Sequence, residues 1–263
     1  ILESTVLTQD YSCPGQDGFT IAADDVTLDC DGHSLTSDNT GSTTGLYALN
    51  RNNVTIRDCT VENFSRQLHL DGISQSTILN NTANSWVNES YYIVNSDSTV
   101  IEKNIGFSNS TPALRVVDST YMNLTDNNMR SYSSWGINLY SNGNIDDHHR
   151  IINNTGNSTS APGWRVSYFS YSNFINNTAW SASENAYYFN SVSNTNITGD
   201  YGYTATSRGG MYLVGGSDNI FRDSHYEEGS DTWWGALRIY STDHMEFHNV
   251  TATGGRFGMR TLS

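Results

Sequence analysis

The chain has 263 residues, and its 27 acidic side chains against 13 basic ones give a formal net charge of −14. A nucleic-acid-binding protein normally carries a basic stripe; the sequence shows none, so we exclude nucleic acid as a partner. No apolar run approaches the ~20 residues of a membrane-spanning helix, so the chain is not predicted to span a membrane.

Residues 1–23 differ from the rest of the chain. β-favouring runs at residues 1–7 and 19–21 flank a turn at Cys13-Pro14-Gly15, and a further run at residues 26–28 begins a regular pattern. We predict that residues 1–23 form a lead-in segment, separate from the repeats of residues 24–263.

From residue 24 onward the sequence repeats itself about every 23 residues, which is typical of a solenoid. Each copy contains two short period-2 runs separated by Asn, Asp, Ser and Gly, which is the chemistry of strands and turns. We align the first run on its last apolar residue, at Leu28, Ile56, Leu79, Ile101, Leu124, Ile152, Ile175, Ile197, Phe221 and Phe247.

The second run aligns independently with the same period, starting from Leu46 with Leu49 and continuing with Leu68 and Leu70. Strands that recur in one direction at this spacing pair in parallel, coil upon coil. The predicted fold is therefore all-β, a single-domain right-handed parallel β-helix of about ten coils. Residues 1–23 would cover its N-terminal end, because an open end exposes core side chains and unpaired strand edges.

The residues that follow each first run are rich in Asn and form two turn columns. Asn tolerates left-handed backbone and bonds to its own copy in the next coil, so we interpret both columns as structural. On this alignment Asn80, Asn153 and Asn176 belong to a buried turn column.

The central residue of each second run points outward between two inward neighbours. The predicted outward column is Ala48, His69, Tyr92, Arg115, Asn138, Arg165, Tyr188, Tyr212, Arg238 and Arg260. Arg and Tyr at ~4.8 Å steps can stack on sugar rings and bind hydroxyls or carboxylates. The alternative is a strand face covered by β-favouring, amphipathic residues without a ligand. The candidate carbohydrate- or partner-binding residues are His69, Tyr92, Arg115, Arg165, Tyr188, Tyr212 and Arg238.

Two acidic clusters are the candidates for catalysis. They are the segments 146–149 (Asp-Asp-His-His) and 225–228 (His-Tyr-Glu-Glu), the second followed by Asp231 and by Trp233 and Trp234, an aromatic pair that we add to the binding candidates. Neither cluster places carboxylates at the spacing of one coil, so no catalytic residue is assigned. No metal site or cofactor is predicted, although the acidity makes Ca²⁺ conceivable. The two histidines of the first cluster are expected to be exposed.

Sequons and the lack of an initiator Met suggest a processed, secreted or cell-surface glycoprotein. The glycosylation candidates are Asn53, Asn63, Asn88, Asn109, Asn123, Asn157, Asn196 and Asn249. Three cysteines allow one disulfide with three possible pairings.

Residues 26–35 and 53–61, together with the turn at Cys13, resemble right-handed β-helix proteins of the NosD-like, carbohydrate-binding and sugar-hydrolase group. This resemblance supports the fold. It leaves the function open, because the architecture carries lyases, hydrolases, binding modules and surface proteins. It also implies a disulfide between Cys13 and Cys30.

The function that we favour from the sequence is a non-enzymatic extracellular structural or surface protein of the filament, sheath or surface-layer type. Such a protein would associate with itself through an uncovered C-terminal coil or its lateral faces, and with polysaccharide. The alternative is a carbohydrate-active β-helix protein, either a polysaccharide lyase or hydrolase or a glycan-binding module.

Overall fold

A computed structural model describes residues 1–141, 148–206, 208–230, 235–254 and 258–262. It confirms the predicted all-β fold, a single right-handed parallel β-helix of eleven coils. None of the described segments forms a helix of the length and apolarity that crossing a membrane requires.

Three parallel sheets run along the β-helix, and every coil gives one strand to each. The first sheet contains β1 Thr5–Val6, β4 Thr27–Asp29, β7 Thr55–Arg57, β10 Thr77–Leu79, β13 Val100–Glu102, β16 Asn123–Thr125, β19 Arg150–Ile152, β22 Asn173–Ile175, β25 Asn196–Thr198, β28 Ile220–Arg222 and β31 Glu246–His248. The second contains β2 Tyr11–Ser12, β5 Ser34–Thr36, β8 Thr60–Glu62, β11 Thr82–Ser85, β14 Ile105–Ser108, β17 Asn128–Ser131, β20 Thr155–Ser158, β23 Thr178–Ser181, β26 Tyr201–Thr204, β29 His225–Glu228 and β32 Thr251–Thr253. The third contains β3 Phe19–Ile21, β6 Thr44–Leu49, β9 Arg66–Asp71, β12 Tyr91–Val94, β15 Leu114–Val117, β18 Ile137–Tyr140, β21 Trp164–Ser167, β24 Tyr187–Asn190, β27 Met211–Val214, β30 Leu237–Tyr240 and β33 Met259–Leu262.

The core fills the bore between the three sheets. The inward residues of the first sheet stack in register and include Leu28, Ile56, Ile78 and Ile101, each fully buried. Along each sheet, the inward-facing residues of successive coils therefore form one buried apolar column. The burial of these side chains is the main source of stability.

The predicted alignment of the first run is wrong by one residue at Leu79, Ile152 and Ile175. The inward residues there are Ile78, Ile151 and Phe174, each fully buried. A strand alternates its faces at every residue, so a slip of one places the wrong residue in the bore. The predicted outward residue Ala48 is wrong for the same reason, because Ala48 is buried and Tyr47 pairs with His69 in the outward column.

The turn from the first to the second sheet contains two Asn-rich columns, one exposed with left-handed backbone and one buried directly after it. Asn80, Asn153 and Asn176 are exposed and left-handed, with φ of 53–54°, so their expected burial is wrong. The following residues are buried and form what we call the asparagine ladder, Asn81, Asn104, Asn127, Asn154 and Asn177, which ends at Asp200. From Asn104 to Asn177, each ladder side chain accepts hydrogen bonds from the backbone nitrogen and the side-chain amide of the member before it.

The disulfide joins Cys30 and Cys59, whose Cα atoms are 4.8 Å apart, and not Cys13 and Cys30. Cys30 and Cys59 both face the bore at the turn between the first and second sheets of adjacent coils. Cys13 follows β2 at a different corner, beyond the second sheet, where its backbone nitrogen bonds to Thr36 O. It is a free, half-buried thiol whose pKa is raised by burial.

The N-terminal segment contributes the first strand to all three sheets, through β1, β2 and β3. Residues 1–23 are thus wound as a coil of their own, and their boundary as a separate covering segment stays a prediction. At the opposite end, a cavity of about 610 Å³ lies against Ile239, Phe247 and Met259.

Candidate functional site

The outward residues of the third sheet form one continuous column, which we call the outer column. Its members are Tyr47, His69, Tyr92, Arg115, Asn138, Arg165, Tyr188, Tyr212, Arg238 and Arg260, paired in register from coil to coil. The alternation of β-strand side chains places them outside the bore, beside the turns that enter the third sheet.

A groove of about 600 Å³ lies along the C-terminal half of this column. Its walls combine column residues with residues of the preceding turns, and its lining is Trp135, Pro162, Arg165, Glu184, Asn185, Tyr188, Arg208, Tyr212 and Arg238. Four predicted binding residues, namely Arg165, Tyr188, Tyr212 and Arg238, therefore meet in one depression. The span from Arg165 to Arg238 is about 14 Å, because each coil adds ~4.8 Å.

The groove is cationic although the chain is acidic. Among the described residues that line it, three are arginines and one, Glu184, carries a carboxylate, which lies 3.7 Å from Arg208. Two guanidinium groups stack on aromatic rings, Arg165 over Trp135 at 4.8 Å and Arg238 over Tyr212 at 4.2 Å. Burial lowers the pKa of Arg238, yet an arginine stays protonated at physiological pH. The stacking fixes both positive charges in place.

Asn185 lies in the groove wall with a side chain that is only 6% exposed. Its Oδ1 is buried and has no hydrogen-bond donor among the described residues. A buried acceptor without a donor costs about 1–3 kcal/mol, and a ligand hydroxyl or amide can supply that donor.

In the N-terminal half of the outer column, the charged side chains pair with each other. Arg66 donates to Glu89 at 3.0 Å and Arg115 donates to Glu89 at 3.2 Å. The two guanidinium groups lie 4.6 and 5.5 Å from the ring centre of Tyr92. We call Arg66, Glu89, Tyr92 and Arg115 the closed cluster. Two of the predicted binding residues, Tyr92 and Arg115, thus hold each other and Glu89.

His69 lies further along the column, between two tyrosine rings at 5.2 Å (Tyr47) and 5.0 Å (Tyr92). Burial and the charge of Arg66 lower its pKa. A smaller cavity of about 270 Å³ reaches Tyr47 and His69. His69 therefore does not line the groove.

The two acidic segments do not assemble a catalytic site in the described structure. His149 is buried, contrary to expectation: its Nδ1 accepts from Met122 N at 3.0 Å, and burial followed by the charge of His148 lowers its pKa to about 3. Glu228 is also buried, whereas Glu227 faces outward and accepts from Tyr201 at 3.0 Å. Asp146, Asp147, Asp231, Trp233 and Trp234 lie outside the described residues. Within the described part of the chain, no group of three or more His, Cys, Asp or Glu could hold a metal ion.

The glycosylation candidates stay predictions. Four of them use their side-chain nitrogen in hydrogen bonds to a neighbouring coil, namely Asn53 to Asp25, Asn88 to Ser65, Asn196 to Asn173 and Asn249 to Asp223.

Five groove residues were not predicted from the sequence: Trp135, Pro162, Glu184, Asn185 and Arg208. They lie in the turns before the third sheet, three or four residues ahead of outer-column positions. Aligning those turns with the strands would have placed them beside the column.

The groove residues suit a sugar that carries a carboxylate. Arginines bind carboxylates through paired hydrogen bonds, and tyrosine rings present flat faces and hydroxyls to a sugar. Hydrolysis of a glycosidic bond normally needs two carboxylates, and only Glu184 among the described lining residues has one. The arginines and tyrosines of the groove can together bind an anionic sugar.

A stack of parallel coils with a ligand groove on the outside of one sheet defines a β-solenoid with a lateral binding face. Residues 12–155 match the family described as "Right handed beta helix region", which is more than half of the chain, and the chain belongs to that family. A search of curated protein sequences finds no match.

Solved structures share the whole architecture at low sequence identity. The chain is similar to the A-module of the mannuronan C-5 epimerase AlgE4 from Azotobacter vinelandii, with a TM-score of 0.72 and 11% identity over 98% of this chain and 87% of that one. It is also similar to the AlgE6 A-module of the same organism, with a TM-score of 0.57 and 14% identity over 94% and 79%. The catalytic domain of a GH87 α-1,3-glucanase has a TM-score of 0.57 and 12% identity over 96% of this chain and 63% of that domain. These identities establish the fold.

The comparisons correct the function that we favoured from the sequence. A non-enzymatic filament, sheath or surface-layer protein is contradicted, because the neighbours above are modules of carbohydrate-active β-helix enzymes. They favour the carbohydrate-active alternative instead. The composition and the repeats could not separate the two, since both classes use the same coils.

Proposed function

We propose that the protein is carbohydrate-active and binds an acidic polysaccharide in the groove. The observation that carries the proposal is the convergence of Arg165, Arg208 and Arg238 with Tyr188 and Tyr212 in one groove of an acidic chain. The similarity to modules of enzymes named for mannuronan, a polymer of uronic acid, supports the same chemistry.

Binding is tested with polyuronate oligomers and with the same oligomers after reduction of their carboxyl groups. We expect the wild-type protein to bind the charged oligomers, and the double variant R165M/R238M to bind them at least about tenfold more weakly. The matched control is R222M, which removes an exposed arginine from the outer face of the first sheet. Equal binding of charged and reduced oligomers, or an equal loss in R222M, would refute the proposal.

A second candidate function is polysaccharide lysis by β-elimination. A lyase transfers the proton on the carbon next to the carboxylate to a base, the bond from the following carbon to the glycosidic oxygen breaks and leaves a carbon–carbon double bond, and the departing oxygen takes up a proton from an acid. Tyr188 and Tyr212 are proton-carrying groups, their rings 5.6 Å apart, beside arginines that would neutralise the carboxylate. Formation of unsaturated uronate, followed by ultraviolet absorbance and abolished in Y188F or Y212F, tests this activity. No absorbance change across a polyuronate panel would leave a binding protein without lyase activity.

We also propose an extracellular or cell-surface location. The Cys30–Cys59 disulfide supports it, since such bonds form and persist in oxidising compartments. Isolation of the protein from its native cells with both thiols reduced would contradict it.

A further inference from the structure

Asn138 lies in the outer column between the closed cluster and the groove. It pairs with Arg115 in the preceding coil and with Arg165 in the following one. An outward strand position of a surface sheet is normally open to solvent, yet the side chain of Asn138 is only 3% exposed. Neighbouring side chains must therefore lie over it.

On one side of Asn138, two buried polar atoms of adjacent column residues have no partner among the described residues. They are Oδ1 of Asn138, which is an acceptor, and Nε of Arg115, which is a donor. The other end of the Arg115 guanidinium group donates to Glu89 at 3.2 Å and stays in the closed cluster. A hydroxyl group both donates and accepts, so one hydroxyl placed between these two atoms satisfies both.

On the other side of Asn138, Arg165 is a cation without a counter-charge from the described residues. They give it neither an ion pair nor a hydrogen bond, and its guanidinium group stacks on Trp135 at 4.8 Å. Trp135 precedes Asn138 by three residues in the same coil. The stack thus joins the turn before Asn138 to the column position after it, and Trp135 and Arg165 are placed to cover Asn138.

We propose that Asn138 is a binding residue of a sugar subsite that extends the groove toward the N-terminal half of the outer column. A uronic-acid unit binds there with its carboxylate on Arg165, and one of its hydroxyls accepts from Nε of Arg115 and donates to Oδ1 of Asn138. Adjacent column positions are ~4.8 Å apart, a step comparable to the width of one sugar ring.

In the free protein, the stack of Trp135 and Arg165 covers this subsite. Paired, charge-assisted hydrogen bonds to a carboxylate are stronger than a cation–π contact at a partly exposed place, so the ligand draws Arg165 away from the ring and uncovers Asn138. This inference rests on the proposed function. It adds where the carboxylate binds and which residue recognises a hydroxyl beside it.

N138L tests the subsite, because leucine is close to asparagine in size and has no polar side-chain atom. It should lower the affinity for polyuronate oligomers at least about tenfold. It should unfold at the same urea concentration as the wild type or a higher one, because the buried Oδ1 that it removes has no donor in the free protein. N157L makes the same change on the outer face of the second sheet and should bind within about threefold of the wild type.

Tryptophan fluorescence tests the cover. Saturating charged oligomers should change the emission of the wild type, and this change should be absent in W135F, whereas carboxyl-reduced oligomers should leave the emission unchanged. Wild-type emission that does not respond to bound charged oligomers, or a response that W135F retains in full, would overturn the movement of Arg165 away from Trp135.

The outcomes separate this inference from the proposed function. If the wild type binds no polyuronate, both fail. If the wild type binds and N138L binds equally well, the subsite is wrong while the groove stands. A lower urea midpoint with unchanged binding would give Asn138 a structural role only. If N157L weakens binding as much as N138L, the loss does not arise at the subsite and the assignment fails. N138V, with the same expected loss of binding, replaces N138L if that chain does not fold.

Discussion

The side-chain amide of Asn177 donates a hydrogen bond to Oδ1 of Asp200 at 3.2 Å, so a ladder of buried amides ends on a carboxyl group. In the preceding coils the side-chain nitrogen also donates to a backbone carbonyl, as Asn177 does to Ile151 O at 3.0 Å. At Asp200 the corresponding atom is Oδ2, which is buried without a partner among the described residues. A proton on Oδ2 would supply the missing donor, and burial raises the pKa of Asp200 to about 7.

D200N should make the protein more stable at neutral and alkaline pH. The folded carboxyl keeps its proton up to about pH 7, whereas its ordinary pKa is 3.8, so this group's contribution to stability is greatest below pH 3.8 and falls as the pH rises through 7. Ionising it in the folded state costs about 4 kcal/mol. In urea unfolding, the gain of D200N over wild type should approach this value at about pH 8 and vanish at about pH 3.

The control for D200N is D126N, which removes an exposed carboxyl from the equivalent turn of an earlier coil. Its stability relative to wild type should hardly change between the two pH values. A gain in D200N that does not depend on pH would show that Asp200 is not protonated in the folded protein.

His149 should change the pH dependence of stability in the opposite direction to Asp200. Its pKa falls from 6.5 to about 3 in the folded protein, so its contribution is present above pH 6.5 and is lost as the pH falls toward 3. H149N keeps an acceptor at this place, as Asn219 does for Thr195 N at 3.1 Å in a later coil. We expect H149N to reduce the acid-induced loss of unfolding free energy by up to about 5 kcal/mol.

The control for H149N is H244N, because the His244 side chain is 83% exposed. Urea unfolding of both variants is measured at several values between about pH 3 and pH 7. An acid-induced loss in H149N as large as in the wild type would contradict a buried neutral His149.

Removing the disulfide with C30A/C59A should lower the unfolding free energy by about 3 kcal/mol, because the bridge closes a loop across 29 residues. C13A should cost no more than about 1 kcal/mol, since Cys13 is half-buried and forms no bond to the other cysteines. Reductant should destabilise the wild type and C13A and leave C30A/C59A unchanged. A reductant effect that disappears in C13A would indicate a different pairing.

E89Q should destabilise the protein by about 2 kcal/mol, since it leaves Arg66 and Arg115 without their shared counter-charge. The two arginine side chains are 26% and 39% exposed, and solvent screening keeps the cost moderate. Replacing all three charged residues in R66M/E89M/R115M should recover stability to within about 1 kcal/mol of the wild type. If E89Q unfolds at the same urea concentration as the wild type, the closed cluster contributes nothing to stability.

The repeat made the fold predictable from the sequence. At three places, two adjacent apolar residues made the register of the first run ambiguous. In Ile78–Leu79, Ile151–Ile152 and Phe174–Ile175 both residues are apolar, so hydrophobicity alone does not say which one faces the bore.

The sequence predicted only those groove residues that lie in strands. The outer column follows from alternation, which is why Arg165, Tyr188, Tyr212 and Arg238 were found. Asn185 and Arg208 lie in turns, whose path is set by neighbouring coils. The disulfide was missed because the resemblance suggested Cys13, whereas the winding of the first coils brings Cys59 beside Cys30.

The pairing of each strand only with the coils before and after it has a consequence for how the chain folds. Thr77, for example, pairs with Thr55 and with Val100. Partners therefore stay about one coil apart along the chain however many coils are added, and each added coil closes a loop of similar length. Folding can nucleate at any adjacent pair of coils and propagate coil by coil. The free energy of unfolding is then a sum of the contributions of single coils and of the interfaces between neighbouring coils. The Cys30–Cys59 bridge links one such pair of adjacent coils covalently.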